Sequence, residues 1–262
     1  MSLREPWLRR PISRRWYCCL AAATFVLAFA FWSVLSWGGL VRPYFLPDPY
    51  SLLLAFVRMV TEQSLLKDVC VSCYRAILGF GIAAGVAIPL GIAVGNIPYW
   101  EALLGPFTSF LRYLPVPALV PLCILWFGVG DFEKLVIIVV GVFFQLLLMV
   151  ADVSGSVPEH HIAVCYTLGG SPGKAVRDVI IPASLPGIVD GLRITLGWAW
   201  AYLMVAEVVG ADRGLGYVIV RSQRFLLTAD VMVGVAIFGV LGILFDVGFK
   251  VLSRRLFPWQ QS

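Results

Sequence analysis

Charge is what this sequence has least of. Its 262 residues include 20 Lys and Arg and 15 Asp and Glu, 13% of the chain, where an ordinary soluble domain carries about 25%. So few charges cannot cover a water-facing surface, and 60% of the residues belong to the set AVILMFWYC, more than the interior of one soluble domain of this size takes in. This excludes a disordered chain, a fibrous one and a soluble DNA binder, and makes lipid the solvent for much of the polypeptide. The net charge of +5 gathers at the two termini beside apolar runs, which is the positive-inside pattern of a membrane protein and not a stripe for nucleic acid.

Reactive groups are scarce as well. The two histidines, His160 and His161, are adjacent and diverge on a helix, with no third ligand nearby, so metal binding is not expected. Of six cysteines, Cys18, Cys19 and Cys123 lie in apolar runs and Cys165 on a loop, leaving Cys70 and Cys73 as a lone C-x-x-C. Without a second pair this is neither a zinc site nor a disulfide framework, and the cysteines read as small hydrophobes between helices. No G-x-S-x-G or H-E-x-x-H motif is present, so a membrane-embedded enzyme lacks a catalytic cluster. No fixed-period repeat or inverted pair of halves appears, which weighs against a secondary transporter.

What the sequence does have is long charge-free runs. Trp16 to Val41 is too long and too aromatic for the core of a signal peptide and reads as an uncleaved first helix. Ala76 to Trp100 is a second span, bounded by Arg75 and Glu101. Ala102 to Gly130 is apolar except for Arg112, but Pro115, Pro117 and Pro121 forbid one straight helix. Further spans follow at about 135–151, 185–209 and 231–249. The reading is an all-α polytopic membrane protein of six transmembrane helices, with a basic tail over 1–15 and a single transmembrane domain over 16–262. Arg4, Arg9, Arg10, Arg14 and Arg15 at one end, and Lys250, Arg254 and Arg255 at the other, put both termini in the cytoplasm. Between spans one and two, 47–68 reads as an amphipathic segment with Leu52, Leu53, Phe56, Val57 and Val60 on one face.

The longest inner connection, 152–184, carries start and stop signals for two short helices. Ser156-Val157-Pro158-Glu159 has capping-box spacing, which predicts a helix over 157–168. Gly169 and Gly170 end it, Ser171 caps a second helix that opens on Pro172, and Pro182 stops that helix near Ile181. A helix, glycine turn and helix on a cytoplasmic face is a docking element. The stretch Gly169 to Ala175 imitates a phosphate-binding loop, but Leu168 and Ala175 stand where Gly and Ser or Thr are required. The chain therefore carries no phosphate-binding loop of this type.

These residues carry a resemblance. From Ser156 to Pro186 the chain resembles the cytoplasmic signature of permease subunits of ATP-binding-cassette importers, in which E-A-A is followed at fixed spacing by Gly and by I-x-L-P. Gly169 holds the place of the glycine and Val179-Ile180-Ile181-Pro182 the tail; Ala163-Val164-Cys165 stands where Glu-Ala-Ala would, with Glu159 one turn earlier. Phe45-Leu46-Pro47-Asp48-Pro49, Ser72 to Phe80 with Arg75, Arg112 to Phe127, Gly191-Leu192-Arg193, and Ala206-Glu207 followed by Gly214-Leu215-Gly216 are similar to the nitrate, sulfonate, taurine and bicarbonate branch.

The resemblance implies the type I importer permease fold, a non-catalytic subunit in a bacterial inner membrane, and a small anion as cargo. It implies a second permease copy in a homodimer, ATPase subunits that hold ATP and Mg, and a periplasmic or lipid-anchored solute-binding protein. No cofactor is expected on this chain, and no partner beyond these and lipid. ATPase coupling is expected at Glu159, Ala163, Leu168, Gly169, Gly170, Ser171 and Pro182. Without the resemblance, an ion-coupled secondary transporter or channel is the competing reading, and it predicts transport without an ATPase.

Three charges inside spans are the candidates for the path or its gates. Arg112 lies about 15 Å from Ala102 at 1.5 Å per residue, near the midplane, where it either meets a passing anion or pairs with an acid such as Glu207. Glu207 lies near the outer end of the fifth span and Arg193 near the inner end, as gate or interhelical contacts. Arg75 reads as a boundary residue that snorkels. Trp126, Trp198 and Trp200 read as packing or interface aromatics.

Overall fold

Charge-poor runs of this length satisfy their backbone groups within helices. The computed structural model describes residues 13–39 and 41–257, and every regular element among them is helical. In chain order these are α1 (Arg14–Trp37), α2 (Pro49–Glu62), α3 (Leu65–Asn96), α4 (Pro98–Leu111), α5 (Val116–Phe127), α6 (Asp131–Gly155), α7 (Glu159–Thr167), α8 (Pro172–Ala175), a π turn (Val176–Ile180), α9 (Ile181–Gly210), α10 (Leu215–Arg224) and α11 (Thr228–Leu256). Among the described residues five helices are long and apolar enough to cross a membrane, and α4 with α5, bent by 97° at the break, makes a sixth candidate if the pair is one span. The prolines after Arg112 thus do what their geometry requires. Of the basic tail expected over 1–15, residues 1–12 lie outside the described residues.

The core is the stack α3, α6 and α9, whose buried faces are built from Ala83, Ala87, Ile138, Leu146, Leu147, Ala199 and Leu203. Small residues set its spacing. A Cβ on Gly91 would lie 2.7 Å from the Leu147 carbonyl oxygen, and Gly155 backs onto the carbonyl of Gly95. The two helices therefore meet backbone to backbone, as small residues four apart allow between membrane helices. Helix α1 stands apart: 6% of its apolar window is buried, against 39% in α3, α6 and α9. Among the described residues it is tied near its C-terminal end, where Trp32 and Ser36 donate to the carbonyls of Pro47 and Leu46.

Several expectations change here. The second span begins at Leu65, so Arg75 lies well inside α3 and is buried, and it does not snorkel. On α2 the buried face is Ala55 and Met59, with Leu52 and Val60 beside them, while Leu53, Phe56 and Val57 are exposed. The capping box does not form: Ser156 still ends α6 and donates to the Val153 carbonyl, and α7 starts one turn later with Pro158 as its N-cap. Pro182 does not stop a helix either. The π turn gives Ile181 a bond to the Val176 carbonyl, five residues back, and this wider turn makes room for the proline ring, so one helical rod runs from Pro172 to Gly210.

Candidate functional site

The end of the bundle that bears the helix–turn–helix offers a surface. Helix α7 buries none of its residues, and it leaves Val164, Tyr166 and Leu168 exposed, Leu168 at 82%. Its C-terminus closes as a Schellman turn. Gly169, at φ 78°, donates to the Tyr166 carbonyl, and Gly170 donates to that of Cys165. Position 169 needs glycine for its left-handed backbone, and position 170 for space, since a Cβ there would lie 2.5 Å from the Cys165 sulfur. Ser171 then caps α8 by accepting from the Lys174 N–H at 3.4 Å, with Pro172 at the first helical position. Glu159 occupies the first turn of α7, Ala163 lies one turn on, and Pro182 follows the π turn. The rings of His160 and His161 lie 4.1 Å apart, so the pair does not diverge as expected.

The opposite end holds a buried polar cluster. Glu207, near the C-terminus of α9, is 1% exposed. Its carboxylate accepts from Ser72 Oγ at 2.8 and 2.9 Å, Arg75 Nη1 at 2.9 Å and the Gly216 N–H at 2.8 Å. Arg75 also donates to the Arg213 carbonyl and, through Nε and Nη2, to Asp131 Oδ1 at the start of α6. Ser72 accepts from the Leu215 N–H, and Asp68 from that of Gly214. Three N–H groups at the start of α10 thus meet acceptors from α3 and α9, which also suits the positive end of a helix. The motif Ala206-Glu207 with Gly214-Leu215-Gly216 is one structural unit: a Cβ on Gly214 or Gly216 would overlap Glu207. Next to it, the buried Lys134 donates to Glu133 and to the carbonyls of Gly130 and Gly210, closing the C-terminus of α9.

Arg112 stands apart from this cluster. It ends α4 at the bend, is exposed, and contacts Tyr113 through a 3.0 Å hydrogen bond to its hydroxyl and through the ring face, 4.9 Å away. The acid offered as its alternative partner, Glu207, belongs to Arg75. Arg193 reaches Asp246 on α11 at 3.6 Å, and Lys250 shares that carboxylate at 2.5 Å. Of the tryptophans, Trp200 is buried against Phe238 and Phe245, whereas Trp126 is 67% exposed and Trp198 39%. Sequence reasoning placed Arg75, Glu207 and the glycines in motifs but did not join them, because the two charged residues are 132 positions apart.

Residues 87–258 match the family described as the binding-protein-dependent transport system inner membrane component. The chain is 35% identical over 233 residues to a putative aliphatic sulfonates transport permease protein of Bacillus subtilis, covering 89% of this chain and 84% of that one. It is 32% identical to the taurine transport system permease protein of Escherichia coli, covering 98% of this chain and 94% of the relative. The fold matches that of a chain in a structure of the methionine ABC transporter MetNI in inward-facing conformations, with a TM-score of 0.65 at 20% identity over 73% of this chain and 95% of that one. The long apolar rods, the glycine-closed helix–turn–helix and these likenesses agree: the chain belongs to the inner-membrane permeases of ATP-binding-cassette importers, in their sulfonate and taurine branch.

Proposed function

We propose that this chain forms the translocation path of an importer for small organosulfonates, driven by a separate ATPase. The observation that carries the reading is α7: an ordered, glycine-closed helix that packs only lightly, on α8 and the π turn among the described residues, and buries none of its own residues. Such an element costs backbone entropy to hold and gains further packing only from a partner. In this reading α7 seats on an ATPase subunit that holds ATP and Mg, so both termini are cytoplasmic and the Glu207 cluster faces outward, where a solute-binding protein delivers cargo. A second copy of the chain completes the path.

The mechanism follows from what α7 touches. It packs on α8 and the π turn, at the start of the rod 172–210, and is joined to the end of α6 by 156–158, so a push on it reaches both. At the far end Arg75 ties α3 to α6 and α9, which makes the three move as one body. The bend at Arg112 exposes a cation beside a broken helix, where a passing sulfonate meets favourable charge. Sulfonates, rather than nitrate or bicarbonate, are favoured by the two relatives named above.

Co-expression with the cognate ATPase tests this. The pair should co-purify and, with the binding protein in liposomes, import an alkanesulfonate at the expense of ATP. Substituting Gly170→Val should release the ATPase. ATP hydrolysis by the purified chain alone, or uptake that proceeds without an ATPase, would overturn the proposal.

A further inference from the structure

Helix α10 is amphipathic in an unusual way for this molecule. Leu215, Val218, Ile219 and Ser222 are buried, whereas Tyr217, Val220, Arg221 and Arg224 share the opposite face at helical spacing. That face fronts the last turn of α9, and between them lies a cavity of about 580 Å³, walled by Val208, Val209 and Phe225 as well as the α10 residues. A volume of this order suits a small molecule. Glu207 lies at its edge, but its carboxylate is taken up by Arg75, Ser72 and Gly216. Among the described residues neither Arg221 nor Arg224 has an ion-pair partner, so two guanidinium groups, one turn apart, share this cavity with no carboxylate paired to either.

Like charges three apart on a helix repel, and the C-terminal dipole offsets only part of that. A bound oxyanion would offset the rest. Each guanidinium presents a planar fork of donors that matches two oxygens of a sulfonate or phosphate. The apolar walls offer contact to a short alkyl chain and nothing to a second charge.

We infer that the cavity between α9 and α10 is a binding site for an organic oxyanion with a short apolar tail, an alkanesulfonate, held by Arg221 and Arg224. This rests on the proposed permease function and adds to it a place where cargo pauses at the outer end. An anionic lipid headgroup offers similar oxygens, and the test separates the two.

The full-length permease in nanodiscs of zwitterionic phosphatidylcholine should bind ethanesulfonate saturably by calorimetry. Arg221→Gln/Arg224→Gln should weaken binding at least tenfold, while Lys67→Gln, an exposed cation outside the cavity, should leave it unchanged. Both arginines are exposed, so the double variant should fold with unaltered melting behaviour. Equal binding by the double variant would overturn the site. So would absence of ethanesulfonate binding; an arginine-dependent enrichment of phosphatidylglycerol in nanodiscs made from a mixture of the two lipids would then identify a lipid site. If the reconstituted wild-type system imports no sulfonate at all, the permease's proposed cargo fails; if it imports sulfonate and the double variant binds and imports it equally well, only this inference fails.

Discussion

Arg75 Nη1 and Glu207 Oε1 lie 2.9 Å apart, and neither side chain has more than 3% of its surface exposed. A buried pair of this kind is a weak source of net stability, yet breaking it is costly because the remaining charge has lost its partner. Arg75→Met should therefore destabilise the protein by about 3–5 kcal/mol, seen as a lower melting temperature and yield in detergent. Arg75→Met combined with Glu207→Leu should recover part of that loss. Arg75→Lys should not restore the wild type, since an ammonium cannot serve Glu207, Asp131 and the Arg213 carbonyl with a rigid fork. A double variant no better than Arg75→Met would show that the pair is not the unit of stability.

The faces of α3 make a sharper comparison. Gly91 and Gly95 meet the backbone of α6, whereas Gly81 and Gly85 have nothing within 4 Å of a built Cβ. Gly91→Leu should prop the two helices apart at a cost of about 1–3 kcal/mol or more. Gly85→Leu, on the same helix but at an open face, should be close to neutral by thermal melting.

How much of this was legible in the residues depends on distance along the chain. The break after Arg112, the glycine turn at 169–170 and the cap at Ser171 follow from local geometry, and proline and glycine announce them. Two local signals misled for a local reason. Ser156 turns its hydroxyl back to the Val153 carbonyl at the end of α6, and Pro182 found a wide turn that removes the clash it would otherwise meet. The Arg75–Glu207–Asp131 cluster was beyond reach because its members come from three helices. The charge rule that fixes spans from charge-free runs also cut α3 short at Arg75, since it assumes that an arginine marks a water boundary.

Leu226 offers a test in the stabilising direction. It holds φ 59° and closes α10 by donating to the Gln223 carbonyl, with Leu227 donating to that of Ser222, the same turn that Gly169 makes without strain. A left-handed residue with a side chain costs about 1–2 kcal/mol. Leu226 is 62% exposed, so little packing is lost on removing it. Leu226→Gly should raise stability by about 1 kcal/mol in chemical denaturation, reduced by the greater freedom of glycine in the unfolded chain. A drop in stability would mean that the leucine packs against a partner.

Acid should loosen the junction between α1 and α2. Asp48 accepts from the Ser51 hydroxyl and, at 3.4 Å, from the Trp37 indole. These bonds, that from Ser51 foremost, hold its carboxyl below the usual value. A depressed carboxylate lends stability that is present above the ordinary Asp pKa and is lost as pH falls through the lowered one. Carboxyl NMR should show Asp48 titrating below the exposed aspartates. Asp48→Asn should abolish the acid-side change at Trp37, and an unshifted titration would remove Asp48 from the junction.

Arg112 carries the last prediction. Its only described side-chain partner is Tyr113, and it sits at the bend of the one broken pair among the candidate spans. A hydrogen bond between a charged group and an anion contributes about 1.5–3 kcal/mol when formed out of bulk water, so losing one corresponds to roughly 10- to 150-fold in affinity. In liposomes containing the assembled transporter, Arg112→Gln should raise the half-saturating sulfonate concentration or slow uptake by about that factor. ATP hydrolysis in the absence of cargo should be unchanged, because Arg112 borders the middle of the rods, beside Gly141 and Gln145, away from the ATPase contact at α7. Arg112→Lys keeps the charge and should retain most of the transport. If Arg112→Gln imports at the wild-type rate, the residue is a cap on a bent helix and the path runs elsewhere.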